Sequence, residues 1–340
     1  MAKASIQAVA KEAGVSASTV SRTFAKPDLV LPETRDKVMA AAEKLDYSIS
    51  RSAAALKSGQ SFRIALLASE TITTWFNANI FAGLDSVLRP AGYDTVAYPM
   101  RNAEERHDFF ADLPVRRNAD AVIVSSFNIE PAEVERLKHM HVPIIGINTP
   151  SSAGFDATIS IDDEKGMYTA AQHLINLGHK HIVYPCSEAA GLDSSIDARA
   201  QGFINACKDA EGKHGINWEV LSVPRGPAFA DSALSALLAM DEFPDAICCQ
   251  MDMMAIPLVL KLERYGHRTP RDYSIVGFDD SPYADTINLT TMRQDPYAMG
   301  RTAAEKALKL IAGETPGTPH EVIEAQLVPR STDMPFGKMA

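Results

Sequence analysis

Arg199, Asp279 and Asn148 point most directly to chemistry in this 340-residue chain. Arg199 follows the polar loop Asp193-Ser194-Ser195 and precedes an amphipathic stretch. Its guanidinium would stand at a helix end and donate a rigid pair of hydrogen bonds to adjacent hydroxyls of a sugar-like ligand. The competing reading is a plain ion pair with a carboxylate. Asp279 closes an apolar run and would accept from such hydroxyls, whereas Asp280 would cap the next segment or tie it to its lobe. Asn148, at the end of the run 142–147, can donate and accept. Trp75 and Phe76 would offer an aromatic face to a pyranose ring, or else pin a loop against a core. Asn77 and Asn79 are unranked polar companions, and Asp162 reads equally as a ligand residue and as a hinge residue.

A second set of polar side chains lies in the first sixty positions. Ala17, Ser18 and Arg22 would project outward from a short helix: Arg22 suits a bidentate contact to guanine, Ser18 offers a hydroxyl and Ala17 a methyl for thymine. Ser16, Thr19, Ser21 and Thr34 suit phosphate contacts, which position a module without reading sequence. Three helices must hold these groups. Ile6, Val9 and Ala10 share one face of a first helix stopping near Gly14. Ser16 caps a second, with Val20 and Phe24 inward. A third starts around Pro32-Glu33-Thr34 and buries Val38, Ala41 and Leu45. The tight turn between the first two makes a helix-turn-helix, whose second helix enters the major groove; an ordinary three-helix bundle is the alternative. Residues 50–58 read as a short helix with Leu56 as its only large apolar residue, or as a plain linker. Two copies side by side would free Leu56 to wedge into the minor groove.

From Phe62 onward the pattern becomes that of an α/β protein. Apolar runs at 63–68, 94–99, 121–125, 144–147, 182–185, 246–250 and 274–278 alternate with helical stretches at 79–91, 166–177, 196–210, 231–239, 254–265 and 297–311. Such a rhythm predicts parallel sheets covered on both faces, with ligands beyond the carboxyl ends of the strands.

Net charge is -10, which by itself speaks against nucleic acid. Its distribution reverses that: the first sixty residues hold nine Lys or Arg against six Asp or Glu, leaving +3 there and -13 elsewhere. A basic head on an acidic body has one end that approaches phosphate. No apolar run is long enough to span a bilayer and no secretory pattern opens the chain, so a cytoplasmic protein is expected. The four cysteines lack C-x-x-C spacing and read as reduced, buried thiols. A Gly-rich dinucleotide turn, a phosphate loop, a Gly-x-Ser-x-Gly elbow and an H-E-x-x-H pair are all missing, which speaks against an enzyme, a cofactor and a metal.

The string Val9-Ala10, Ala13-Gly14-Val15-Ser16, Thr19-Val20-Ser21-Arg22, Thr34-Arg35, Val38, Leu45 and Tyr47 resembles the head of the LacI/GalR family of bacterial transcription regulators. Matches continue through Val142-Pro143, Leu177-Gly178-His179, Arg199, Gly202-Phe203, Asp252 and Val276-Gly277-Phe278-Asp279-Asp280. The resemblance implies an all-α helix-turn-helix head (1–49), a hinge helix and linker (50–60), and a bilobed α/β periplasmic-binding-protein-like domain (61–340). That domain would bind effector and dimerise, with crossovers near 161, 291 and 322. It implies base reading by Ala17, Ser18 and Arg22, a minor-groove lever in Leu56, and effector contacts by Arg199 and Asp279. Trp75 and Phe76 stand where relatives carry paired phenylalanines. Asn148 replaces an aspartate of lactose-type relatives, and Met251 replaces their asparagine, which weakens the case for a galactoside. Ile49-Ser50 replaces the family's Pro-Asn, and Ala54 a common arginine. The implied function is a homodimeric repressor on a palindromic double-stranded DNA operator, with a mono- or disaccharide as inducer. The alternatives are a corepressor or a phosphorylated carrier protein that strengthens DNA binding, and, last, an enzyme or a pure sugar-binding protein. Segments 297–311 and 79–91 are the expected dimer contacts.

Overall fold

Capping side chains set out the head. The Ser5 hydroxyl accepts from Ala8 N and starts α1 (Ile6–Ala13), which ends at Gly14 with φ 67°, a left-handed conformation that a residue without Cβ adopts freely. The Ser16 hydroxyl accepts from Thr19 N at 3.1 Å and opens α2 (Ala17–Ala25). Proline occupies the first turn of α3 (Pro32–Lys44), where its missing N–H costs nothing. Val9, Ala10, Val20, Val38, Ala41 and Ala42 form the buried centre. Leu45 lies only against its edge, because it is the C-cap of α3 and has left the inward stripe of Val38, Ala41 and Ala42.

The computed structural model describes residues 4–25, 27–47, 60–69, 71–100, 103–116, 119–139, 141–187, 194–224 and 228–338. They belong to two compact units, Met1–Ser61 and Phe62–Ala340. The hinge segment expected at 50–60, Leu56 included, lies outside the described residues but for Gln60.

The larger unit contains two six-stranded sheets. The first takes β1 (Arg63–Ala68), β2 (Asp94–Pro99), β3 (Ala121–Ser125), β4 (Ile144–Ile147), β5 (Ala157–Ile161) and β11 (His320–Ile323) in the order 11-5-4-3-1-2, all parallel. The second takes β6 (His181–Ser187), β7 (Asn217–Val223), β8 (Ala246–Cys248), β9 (Ser274–Asp279), β10 (Thr290–Arg293) and β12 (Gln326–Val328) in the order 12-10-9-8-6-7; only the edge strand β12 is antiparallel. The chain passes between the sheets three times, after Ile161, between Arg293 and Pro296, and between Ile323 and Gln326. β1, β3, β4 and β8 are buried throughout, apart from the exposed first residue of β1, as parallel strands between helical layers must be.

Helices α4 (Trp75–Leu88), α5 (Ala103–Arg116), α6 (Pro131–His139) and α12 (Pro296–Ile311) belong to the first lobe, and α7 (Asp163–Asn176), α8 (Ser194–His214), α9 (Phe229–Leu238), α10 (Asp252–Arg264) and α11 (Pro282–Thr286) to the second. Each lobe is braced by one helix pair that meets at glycine. A Cβ on Gly83 of α4 would lie 2.1 Å from the Tyr297 carbonyl oxygen, and one on Gly202 of α8 would lie 2.1 Å from that of Glu164. The expected dimer helices 79–91 and 297–311 therefore bury these faces against each other within the chain, and the faces are not open to a second copy. Lys306 of α12 is buried and donates to the carbonyls of Thr158 and Pro319, pinning the helix to the first sheet.

Candidate functional site

Between the lobes lies a cleft of about 740 Å³, open mouth included, within the range of small-molecule sites. Strand ends build its wall: Ser126 follows β3, Asn148 follows β4, Asp279 ends β9 and Gln294 follows β10. Three of these hold positive φ (Ser126 68°, Asn148 50°, Asp279 132°), strain of the kind that gathers at functional sites. At Asp279 and Asp280 (φ 56°) the two carboxylates diverge. Asp279 lines the cleft, while Asp280 accepts from Arg293 and Arg330, each at 2.6 Å. Burial alone would raise the Asp280 carboxyl, yet these two guanidinium groups hold it below its ordinary value. Asp280 thus ties its loop to the lobe.

Arg199 is 5% exposed and lies at the centre of a knot. Its Nε donates to Asp163 Oδ1 at 2.7 Å, and its Nη1 donates to the Gln250 carbonyl at 2.8 Å. Nη1 also stands 3.8 Å from Asp279 Oδ1. The guanidinium carbon lies 3.7 Å over the Phe278 ring, a cation–π contact in a dry place. The two readings of Arg199 thus coincide: it lines the cleft and is ion-paired, with Asp163. That aspartate reaches across the lobes, since Asn148 Nδ2 donates to its Oδ2 at 3.0 Å. Asn148 Oδ1 accepts from Ile161 N at 3.0 Å, so both ends of its amide serve the junction as well as the cleft wall.

Asp279 carries an unusual proton affinity. Burial pushes its carboxyl up to about 7; Asp252 and Asp163 add to the rise, while Arg199 and a hydrogen bond from Gln294 oppose it. Asp252 is raised to about 6 by burial, with Asp280 adding, against hydrogen bonds from Thr291 and Ser281. Those bonds, 2.6 Å from Thr291 Oγ1 and 2.8 Å from Ser281 N, assign Asp252 to holding β10 and the β9–α11 loop together. Among the described lining residues Arg199 is the one cation, and it is already paired. The cleft suits a neutral ligand, because an anion would meet acidic groups with no spare positive charge.

Trp75 and Phe76 open α4 at the cleft, where Thr74 caps the helix by accepting from Asn77 N. Phe76 also packs against the main core, so the pinning role falls partly to it. Asn77 lines the cleft, donating to the Thr71 carbonyl and accepting from Ser125. Asn79 bonds the Trp75 carbonyl within its own helix. Met251 is half-buried on the wall before α10. Asp162 caps α7 by accepting from Lys165 N, a structural use at the junction. Asp163, Gln294 and Phe278 were missed by sequence reasoning. Nothing in residue type or spacing singles out Asp163 from its neighbour Asp162.

In the head, Ser18 and Arg22 are exposed, as base readers must be, and the Ser16 hydroxyl lies 2.7 Å from that of Ser18 and 2.9 Å from that of Thr19. Ala17 departs from the outward placement: it is half-buried and packs against the head core, because position 17 opens α2 on the side facing Val20. Ser21 and Thr34 are half-buried. Among the described residues no cluster of His, Cys, Asp or Glu is arranged for a metal, and no helix is long and apolar enough to cross a membrane.

Comparison with known proteins fits both units. Residues 5–50 match the model for bacterial regulatory proteins of the lacI family, and 171–332 match that of a periplasmic binding protein-like domain. The chain is 28% identical over 314 residues to the HTH-type transcriptional repressor PurR of Vibrio cholerae serotype O1, covering 91% of each. It is 29% identical over 321 residues to PurR of Haemophilus influenzae, covering 92% of this chain and 93% of that one. Among solved structures, the lac repressor dimer bound to operator and the anti-inducer ONPF superposes with TM-score 0.82 at 24% identity, over 98% of this chain and 100% of that one. The complex of the transcriptional regulator CelR with cellobiose gives 0.67 at 26%, over 97% and 99%. A LacI family regulator from Enterococcus faecium with bound ribose gives 0.69 at 24%, over 81% and 99%.

Proposed function

Since the chain belongs to the LacI/GalR family of bacterial regulators, we propose that it is a homodimeric repressor whose grip on a palindromic operator is set by a neutral, polyhydroxylated ligand in the interlobe cleft. The coarser statement stands on its own: the protein is a ligand-responsive, DNA-binding transcriptional regulator and not an enzyme.

One observation carries the ligand class. Among the described lining residues a single cation, Arg199, is neutralised by Asp163 beside a carboxyl of raised proton affinity and the aromatic side chains of Trp75 and Phe76. Hydrogen-bonding groups with no net charge to satisfy, next to aromatic faces, suit a sugar ring. Bound cellobiose and ribose in two structurally similar regulators support the same class. For the sign of the response, likeness to PurR repressors favours a corepressor, which tightens DNA binding, over the inducer expected from sequence. For base recognition we assign Arg22 and Ser18 to the major groove and the Ser16–Thr19 hydroxyls to phosphate, with Leu56 as the minor-groove lever and Ala17 demoted to support.

The test is a thermal-shift screen of the full chain against neutral mono- and disaccharides and against purine bases and nucleosides. The best hit is then titrated into protein on a labelled palindromic operator selected from random sequence. A sugar hit that strengthens operator binding supports the whole reading. Tightest binding by a purine replaces the ligand class, and weakened operator binding replaces the sign.

A further inference from the structure

Val276 and Phe278 share one face of β9, since alternate residues of a strand point the same way, and both belong to the main core. Phe278 is fully buried, while its chain neighbour Asp279 lines the cleft. The face of the Phe278 ring is taken by Arg199, whose guanidinium carbon lies 3.7 Å from the ring centroid. The edge of the ring abuts α7. A Cβ on Gly166 would lie 2.9 Å from the ring's Cε2, 3.1 Å from its Cζ and 3.1 Å from Ala325 Cβ, and a residue without Cβ permits this approach. The same turn of α7 is tied to the third passage between the lobes: Asp162 N donates to the Ile323 carbonyl at 3.0 Å, and Lys165 pairs with Glu324. Gly166 thus has Ala325 on one side and the ring on the other, and neither has room to give.

Arg199 needs such a backing. Its two hydrogen bonds, from Nε to Asp163 and from Nη1 to the Gln250 carbonyl, both lie in the guanidinium plane. They leave the group free to tilt about the line that joins the two acceptors. Asp279 Oδ1, 3.8 Å from Nη1, is beyond hydrogen-bond distance and adds charge without direction. We propose that Phe278 is a positioning residue of the effector site: its ring face, held from behind by Gly166, fixes the tilt at which the Arg199 guanidinium meets the ligand. The inference rests on the cleft being the effector site. An aromatic ring does this where an aliphatic side chain of similar bulk does not, because its flat face carries the negative end of a quadrupole and attracts a cation. A guanidinium fixed before the ligand arrives loses less freedom on binding, which is where the gain in affinity arises.

The experiment is calorimetric titration of the full chain with D-glucose, D-ribose, cellobiose and adenosine, repeated between pH 5 and pH 8. Phe278→Leu keeps an apolar side chain and removes the ring face; it is expected to weaken the tightest of these probes by about tenfold. Phe278→Tyr keeps the face and should stay within about threefold of wild type. The pH profile separates positioning from mere filling of the core. Arg199 opposes the upward shift of the Asp279 carboxyl, whose other neighbours are Asp252, Asp163 and Gln294. A tilted guanidinium opposes it less, so the pH midpoint of probe binding should move upward in Phe278→Leu and stay in place in Phe278→Tyr. Equal losses in the two variants, no loss in Phe278→Leu, or a loss without movement of the midpoint overturns the inference and leaves the effector cleft standing. Wild-type protein that binds none of the four probes overturns the cleft reading and this inference with it. Melting curves of both variants set the temperature below which each is folded, and the titrations are run there.

Discussion

Replacing Asp279 by asparagine should stabilise the larger unit at alkaline pH while damaging ligand binding. The folded protein holds the Asp279 proton up to about pH 7, whereas an aspartate in an unfolded chain releases it near 3.9. Below about pH 4 both states are protonated, and the group contributes nothing to the difference. Between about 4 and 7 the unfolded chain ionises and the folded one does not, so stability falls as pH rises. Above about 7 the full penalty persists. Three units at 1.36 kcal/mol each set a ceiling of about 4 kcal/mol, which Arg199 and Gln294 have already reduced by opposing the shift. Asparagine has nearly the same shape, tolerates a positive φ and keeps an acceptor for Gln294, but it cannot ionise. Both tryptophans, Trp75 and Trp218, lie in the larger unit, so urea unfolding followed by their fluorescence reports on it. The Asp279→Asn curve should lie close to wild type at about pH 4, exceed it by about 1.5 kcal/mol at most at pH 5, and move to still higher urea at pH 8. A variant equally or less stable at pH 8, with a difference that does not change with pH, refutes the argument that the carboxyl is held protonated.

Arg199→Met removes the partner of Asp163 and the neighbour of Asp279; breaking a buried pair costs about 3–5 kcal/mol, so melting should drop sharply, more at pH 8 than at pH 5, and ligand shifts should vanish. Gly300→Ala places a Cβ 2.4 Å from the Ile80 carbonyl oxygen and should destabilise by about 1–3 kcal/mol by wedging α4 from α12. Gly212→Ala, in a helix with nothing within 4 Å, should be neutral or stabilising by up to about 1 kcal/mol; the two melting shifts check the crossing geometry. Arg22→Ala should weaken operator binding by about 1–3 kcal/mol and relax preference at one base pair, with ligand affinity unchanged in a parallel titration.

The strands that were legible in the sequence are those with an unbroken apolar run, including the half-buried edge strand β2. β1, β3 and β4 present continuous apolar runs because helices cover both sides of their sheet. β7 alternates between exposed and half-buried residues, since it is an edge strand, and its pattern merges with loop. β5 is an inner strand facing the core through Ile159 and Ile161, but Thr158 and Ser160 break its apolar run, as Thr290 and Thr291 do in β10 and His320 and Glu321 in β11; β12 has three residues only. Helix starts were read late. Thr74 caps α4 at Trp75, four residues before the expected beginning, because an aromatic pair after a polar run looks like loop until the cap is seen. α5 and α6 were passed over altogether, their early turns being rich in charge.

The binding residues divide along a similar line. Arg199 and Asp279 could be found because a charged side chain at the edge of an apolar run has few structural uses. Asp163 could not be separated from Asp162 by type or spacing; the fold alone turns one outward to cap α7 and the other inward to Arg199. Gln294 gave no signal, since a glutamine after a strand is ordinary until its amide is seen to be half-satisfied. These two missed residues occupy the first and second passages between the lobes, and each holds one of the recognised pair. A ligand that engages Arg199 or Asp279 therefore acts on groups bonded directly to the crossover segments, where a change in lobe geometry must be absorbed. Whatever its sign, the coupling must be reciprocal: the factor by which ligand changes operator affinity is the factor by which operator changes ligand affinity. Asp163→Asn keeps the shape of the junction and removes its charge beside Arg199. If the passage carries the coupling, that factor should move towards one even where ligand still binds.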